Sequence, residues 1–319
     1  MHYIGVDLGG TSIKAGIVDD SARILVDGKI PTRKEEGHER VLEDMAALCR
    51  DLMDQAGLQE KDIHSIGVGS PGPSDDKNGI LIFATNLDFH NVPIRKKLQE
   101  HFNLPVHLEN DANCAALAES VSGASRECKD SVLLTLGTGV GGGIVLNRKI
   151  YSGFNGAGSE LGHMVIVNQG TLCTCGRLGC FEQYASATGL VRQTIEAIQQ
   201  YPESLMNDLA GGDMSRVSAK TAFIAQRQRD ATADRVVRQY IDYLSDGIVN
   251  IINILYPEMI VIGGGVSREG ENLMRPLREA VLDKAFCHEV DNPRVVKALM
   301  GNEAGMVGAA MLGKINAGG

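Results

Sequence analysis

The stretch Asp7–Val18, DLGGTSIKAGIV, decides how this chain reads, because it returns at residues 134–145 as LTLGTGVGGGIV. A slide of 127 residues sets Gly10-Thr11 on Gly137-Thr138 and Gly16-Ile17-Val18 on Gly143-Ile144-Val145, with Ile13 on Val140. That is five identities in nine positions, more than two unrelated glycine turns would be expected to share. Each copy is a strand, a glycine turn and a second strand. The hairpin differs from the strand-to-helix geometry of a Walker loop, and no GxxxxGK[ST] occurs. Glycines at such a bend let backbone N–H groups approach an anion, and the threonine adds a hydroxyl donor. Two copies, each opening its own α/β unit, predict two domains of similar topology facing each other across a cleft.

Working outward, Tyr3–Asp7, Ile63–Val68, Val106–Leu108 and Met259–Ile262 read as strands, and Val41–Gln55 as a covering amphipathic helix with Val41, Met45, Leu48 and Leu52 at helical spacing. Ile80–Thr85 leads into a polar loop at Asn86-Leu87-Asp88, and residues 187–250 read as mostly helical, with a connection at Gly211-Gly212-Asp213. Strands alternating with helices predict an α/β chain with a mixed sheet. Gly263-Gly264-Gly265 is a third glycine turn, placed where a nucleotide could lie on a strand-to-helix junction. The small-residue segment Ala304–Ile315 predicts a helix able to pack closely on a strand.

Three features carry chemistry. Asp7 precedes the first turn, and a buried carboxylate there is costly unless it holds a cation or water. Asp111 follows a strand in Asn110-Asp111 at the mouth of a helix. It reads either as an N-cap or as a general base that accepts a hydroxyl proton during phosphoryl transfer. A helix N-terminus favours the ionised carboxylate, and Asn110 beside it can both donate and accept, which suits a polyol. The third feature is His163 with Cys173-x-Cys175-x4-Cys180, a donor set that completes a tetrahedral zinc shell of the closed, structural kind. Cys114 or Cys287 could compete with His163 for the fourth position.

Composition bounds the rest. The formal net charge of −9 argues against a nucleic-acid surface. Seven cysteines, three of them crowded together, do not form a disulfide framework. The most apolar run, Ile248–Val266, is broken by Asn250, Asn253, Pro257, Glu258 and glycines, so no membrane span is expected. With no leader pattern at Met1, the chain reads as soluble and cytoplasmic.

Taken together, Asp7-Leu8-Gly9-Gly10-Thr11-x2-Lys14, Glu109-Asn110-Asp111-Ala112, Leu136-Gly137-Thr138-Gly139-x-Gly141-Gly142, Gly158-x-Glu160-Leu161-Gly162-His163 and Cys173-x-Cys175-Gly176-x2-Gly179-Cys180-x-Glu182 resemble the ROK family of sugar kinases and repressors. The resemblance implies an actin-like, hexokinase-type ATPase fold of two α/β domains. Residues 1–116 with about 304–319 would form the smaller one, and 117–303 the larger, zinc-bearing one. It also implies ATP- and Mg²⁺-dependent phosphorylation of a hexose at its 6-hydroxyl, with glucose the first candidate. N-acetylmannosamine, N-acetylglucosamine or fructose kinases, and a non-catalytic sugar sensor, are the alternatives. In the roles so implied, Asp111 is the catalytic base, and Asn86, Asn110, Asp111, Glu160, His163 and Glu182 bind sugar. Gly9, Gly10, Thr11, Lys14, Thr138 and Gly139 line the phosphates, Gly264 and Gly265 the adenosine, and Asp7 the Mg²⁺ side. His163, Cys173, Cys175 and Cys180 hold structural Zn²⁺. A homodimer or higher homo-oligomer is implied by the family alone. The loop Thr85–His90 departs from the family's more usual Asn-Leu-Pro-Gly-Trp form.

Overall fold

A computed structural model describes residues 1–316. The first hairpin opens a five-stranded sheet, built from β1 (His2–Leu8), β2 (Ser12–Asp19), β3 (Ile24–Pro31), β4 (Ile63–Ser70) and β8 (Val106–Asn110) in the order β3-β2-β1-β4-β8. Between β4 and β8 a small antiparallel sheet intervenes, of β5 (Ser74–Asp75), β6 (Ile80–Ala84) and β7 (Phe89–Val92). The second hairpin opens another five-stranded sheet from β9 (Ser131–Leu136), β10 (Val140–Leu146), β11 (Lys149–Ile150), β12 (Met259–Gly263) and β13 (Arg294–Lys297), in the order β11-β10-β9-β12-β13. The two orders correspond strand for strand. The repeat read from one glycine turn thus extends to both whole sheets, and the mixed α/β class expected from the sequence is the observed one.

By packing, the chain falls into two compact units. One comprises residues 1–133, 143–159 and 299–319, the other 134–142 and 160–298. In the first unit, β1 and β4 are buried on both faces because helices cover both. On one face lies α1 (His38–Ala56), whose Val41, Met45, Leu48 and Leu52 join Ile4, Val6, Leu8 and Ile66 in the core. The helix stops at Gly57, which sits in the left-handed region at φ +66°. The short α2 (Ile94–Gln99) follows β7. Against the sheet pack α3 (Asp111–Val121) and α10 (Ala304–Asn316). Here glycines allow main chain to meet main chain. A Cβ on Gly67 would strike the Ala309 carbonyl, and one on Gly308 the Cys114 carbonyl.

The second unit is helix-rich, as residues 187–250 predicted. It holds α4 (Glu182–Ala185), α5 (Ala187–Gln200), α6 (Leu205–Ala210), α7 (Thr221–Arg227), the 25-residue α8 (Ala231–Leu255) and α9 (Glu271–Asp283). Ser186 and Asp230 cap α5 and α8 by accepting backbone N–H groups of Gly189 and Ala233. No helix among the described residues is long and apolar enough to cross a membrane.

Candidate functional site

Sheet register assembles the candidate residues of the first unit. The antiparallel β1–β2 pairing sets Asp7 opposite Lys14, and the parallel pairings set Asp7 beside Gly69 and Gly69 beside Glu109. Asp7 and Glu109, with Asn110 and Asp111 just beyond, therefore cluster at the carboxyl ends of parallel strands, where open α/β sheets bind ligands. Burial pushes the Asp7 carboxyl above the usual carboxylate range, and Lys14, 3.9 Å away, opposes that rise. Lys14 also donates to the Asn302 carbonyl at 3.1 Å. The β1–β2 turn is closed by Gly9 N–H donating to the Ser12 carbonyl at 3.0 Å. Thr32 braces it by donating its hydroxyl to the Gly9 carbonyl at 2.7 Å, and Thr11 stays exposed. Asn86 lies against Gly10, its Nδ2 being 3.3 Å from where a Cβ on that glycine would sit. The loop carrying Asn86 is not polar throughout, as the sequence suggested: Leu87 is 1% exposed and plugs the core, which fixes its neighbour.

At the mouth of α3 the two readings of Asp111 separate. Asn110 is the N-cap, its Oδ1 accepting the N–H groups of Ala112 at 2.9 Å and Asn113 at 3.3 Å. Asp111 is the first helical residue, with Oδ1 accepting the Ala112 N–H at 2.7 Å. Beneath them Glu109 Oε1 accepts the Asn110 N–H at 2.8 Å and Asn113 Nδ2 at 3.0 Å. Burial raises the Glu109 carboxyl above its ordinary range, despite those two donors. Asn113 is 1% exposed and its Oδ1 is unsatisfied. Sequence reasoning assigned Glu109 and Asn113 no part. Their signal was the i, i+4 spacing of two amide- and carboxyl-bearing residues around Asp111.

The second unit carries the remaining candidate residues. Glu160 precedes a helical turn at Leu161–His163, and its side chain makes no capping bond there. His163, Cys173, Cys175 and Cys180 offer donor atoms that all lie within 4.8 Å of one another. His163 Nδ1 lies 3.7 Å from Cys173 Sγ, and Cys175 Sγ lies 3.6 Å from Cys180 Sγ. Zn–S bonds of about 2.3 Å at the tetrahedral angle put donors about 3.8 Å apart, so the spacing fits that ion. His163 rather than Cys114 or Cys287 belongs to the group. Cys114 is buried in α3 of the other unit.

The knot is short of regular structure and is held by main-chain bonds: Phe181 N–H to the Met164 carbonyl, Ile166 N–H to that of Gly179 and Cys173 N–H to that of Arg177. Phe181 packs on Gly247 of α8, and Tyr240 of α8 donates to the Ala185 carbonyl at 2.7 Å. Glu182, between those anchors, turns Oε1 to Cys173 Sγ at 3.0 Å and His163 Nδ1 at 3.8 Å. Its Oε2 faces Gly139, where a Cβ would approach it to 2.5 Å. The second glycine turn thus packs on Glu182, with Thr138 exposed beside it. Gly264, at φ +80°, presses on the Leu136 backbone at the end of β9, and Gly265 follows it. Tyr184, which sequence reasoning passed over, braces the knot by accepting the Thr171 N–H at 2.7 Å.

A family model described as the ROK family matches residues 3–315. The chain belongs to the ROK family. Among ROK relatives it is 40% identical over 320 residues to a glucokinase of Thermotoga maritima, covering 100% of this chain and 99% of that protein. A ROK glucokinase from Streptomyces griseus, solved in complex with glucose and AMPPNP, superposes with a TM-score of 0.82 at 35% identity, over 99% of this chain and 100% of that one. A ROK hexokinase from Thermus thermophilus superposes at 0.83 with 34% identity, over 100% and 99%. The fold expected from the sequence, the actin-like ATPase fold of the hexokinase type, is the one these ROK structures share with it.

Proposed function

We propose that this chain transfers the γ-phosphoryl group of ATP to the 6-hydroxyl of a hexose, that the hexose is glucose, and that Asp111 is the general base. The observation that carries the reading is the full-length similarity to a kinase solved with glucose and a nucleotide, on a chain that keeps Asp111 at the mouth of α3. The Asp111 carboxylate takes the hydroxyl proton, the sugar O6 forms its bond to the γ-phosphorus, and the bond from that phosphorus to the β,γ-bridging oxygen breaks, releasing ADP. Asn86, Asn110, Glu160, His163 and Glu182 hold the sugar hydroxyls. Lys14 and the turns at Gly9-Gly10-Thr11 and Thr138-Gly139 take the phosphates, and Gly264-Gly265 takes the adenosine. Mg²⁺, when bound, offsets phosphate charge, and Asp7 is its protein-side carboxylate. Zn²⁺ would be held by His163, Cys173, Cys175 and Cys180 and would be structural, fixing His163 by one ring nitrogen and leaving the other to reach the sugar. The functional division at residue 116 and a homodimeric assembly belong to the same proposal.

Replacing Asp111 with Asn should cut kcat by about 10²- to 10⁴-fold while glucose binding persists. Near-normal turnover would remove Asp111 from the role of base. The departure of Thr85–His90 from the usual family loop favours a second reading in which another hexose is preferred. ADP release across glucose, fructose, N-acetylglucosamine and N-acetylmannosamine separates the two, and light scattering decides the dimer.

A further inference from the structure

One buried carboxylate has no part in the chemistry above. Glu119, in the last turns of α3, is 1% exposed. Its Oε1 accepts the N–H groups of Leu299 at 2.9 Å and Met300 at 2.8 Å, and its Oε2 accepts that of Ala124 at 2.7 Å. Buried carboxylates are rare, and one that takes main-chain donors from two separate segments fixes those segments to each other. What Glu119 fixes is the connection between β13 and α10.

That connection leads directly to Asp7. The Asn302 carbonyl, two residues past Met300, accepts from Lys14 Nζ at 3.1 Å, and Lys14 Nζ is 3.9 Å from Asp7 Oδ2. Gly305, in the first turn of α10, lies flat against the Asp7 carboxylate, so that a Cβ there would sit 3.1 Å from Cγ and 3.2–3.3 Å from the oxygens. The cation paired with Asp7 and the surface behind it thus both depend on residues 299–305. α3 carries Asp111 at its first residue and Glu119 in its last turns, so a single helix presents the base and clamps this connection.

We propose that Glu119 is a positioning residue for the phosphate end of the site: by holding Leu299 and Met300 it sets Asn302 and Gly305, and through them the places of Lys14 and Asp7. The proposal rests on the reading of Asp7 and Lys14 as the Mg²⁺- and phosphate-side residues. A carboxylate that only satisfied buried amides would affect stability and leave nucleotide kinetics alone.

The test is steady-state kinetics of the full chain carrying Glu119→Gln, with MgATP, free Mg²⁺ and glucose varied separately. Glutamine keeps the shape but turns an NH₂ toward one set of backbone donors. The expected result is a rise of roughly tenfold or more in the KM for MgATP or in the Mg²⁺ requirement, with the glucose KM unchanged. Combining Glu119→Gln with Lys14→Met should add little to Lys14→Met alone, because the two act on one chain of contacts. A lowered Tm with unaltered MgATP kinetics, or full additivity, would overturn the proposal. Asp7→Asn separates the two levels. If it leaves the Mg²⁺ requirement unchanged, the reading of Asp7 falls and the proposal with it. If it raises that requirement and Glu119→Gln does not, the proposal alone falls. Should Glu119→Gln not fold, Glu119→Asp keeps the carboxylate and withdraws it by one methylene. It should then raise the MgATP KM in the same direction, and an unchanged KM would count against the proposal equally.

Discussion

Gly139→Ala is a substitution whose effect can be worked from distances. A Cβ on Gly139 would lie 2.5 Å from Glu182 Oε2, while ordinary contact begins at 3.4 Å. The carboxylate must therefore yield by about 0.9 Å, which takes a hydrogen bond of normal length out of bonding range. Oε1 of the same group is already 3.0 Å from Cys173 Sγ, so the carboxylate relieves the clash by rotating, and both oxygens leave their places. A hydrogen bond to a charged acceptor contributes about 1.5–3 kcal/mol. Losing one from a sugar hydroxyl should raise the glucose KM roughly 10- to 100-fold. Stability should change little, because the atom displaced is the end of a flexible side chain. Gly137→Ala is the matched control: nothing lies within 4 Å of its Cβ position and its φ is not in the left-handed region. Coupled ADP-release kinetics read the glucose and MgATP KM values separately. A Gly139→Ala enzyme with a glucose KM within twofold of the parent would refute the placement of Glu182 in the sugar site.

Two further outcomes are expected. Cys175 is exposed, so Cys175→Ala opens no cavity and its effect isolates the metal. Metal content should fall, Tm should drop by several degrees and the glucose KM should rise, since His163 and Glu182 lose a common anchor. A metal-free variant with parental Tm and KM would show that the knot holds itself. Glu109 gives a pH signature. Burial raises its folded pKa, so the stability it contributes is fully present below the unfolded value of about 4.3 and is lost as pH rises through the folded value. Glu109→Gln carries no charge and keeps the acceptor oxygen. The Tm of the variant relative to the parent should therefore climb as pH rises above about 4.3. A constant or falling difference would contradict the buried-acid reading.

The elements legible in the sequence were those with strong local signals. The duplicated hairpin, α1 with its apolar stripe and the small-residue α10 follow from spacing and composition. So does the metal knot, since three thiols in eight residues need no tertiary context to be noticed. β3 carries no strand signal of its own. It is half-exposed along its length and carries Asp27, Gly28 and Lys29 in its middle, and its place is set by pairing with β2 rather than by its own propensity. The capping of α3 by Asn110 rather than Asp111 turns on a single residue of register, which periodicity does not resolve. Glu119 carries no role in the family motifs because its partners are backbone groups. Such partners leave no residue type in the sequence to find.

The seam between α10, α3 and the first sheet, where Gly67 and Gly308 let carbonyls close to van der Waals distance, sets a limit on how this chain can vary. Elsewhere in a core, a larger side chain at one position can be matched by a smaller one opposite. At this seam no side chain stands between the partners, so nothing is left to trim in exchange. Drift in the chain is therefore freer to rework the cover provided by α1, whose Val41, Met45, Leu48 and Leu52 pack through side chains, than the seam behind Asp7 and Asp111. Where main chain meets main chain, the fold is least open to redesign.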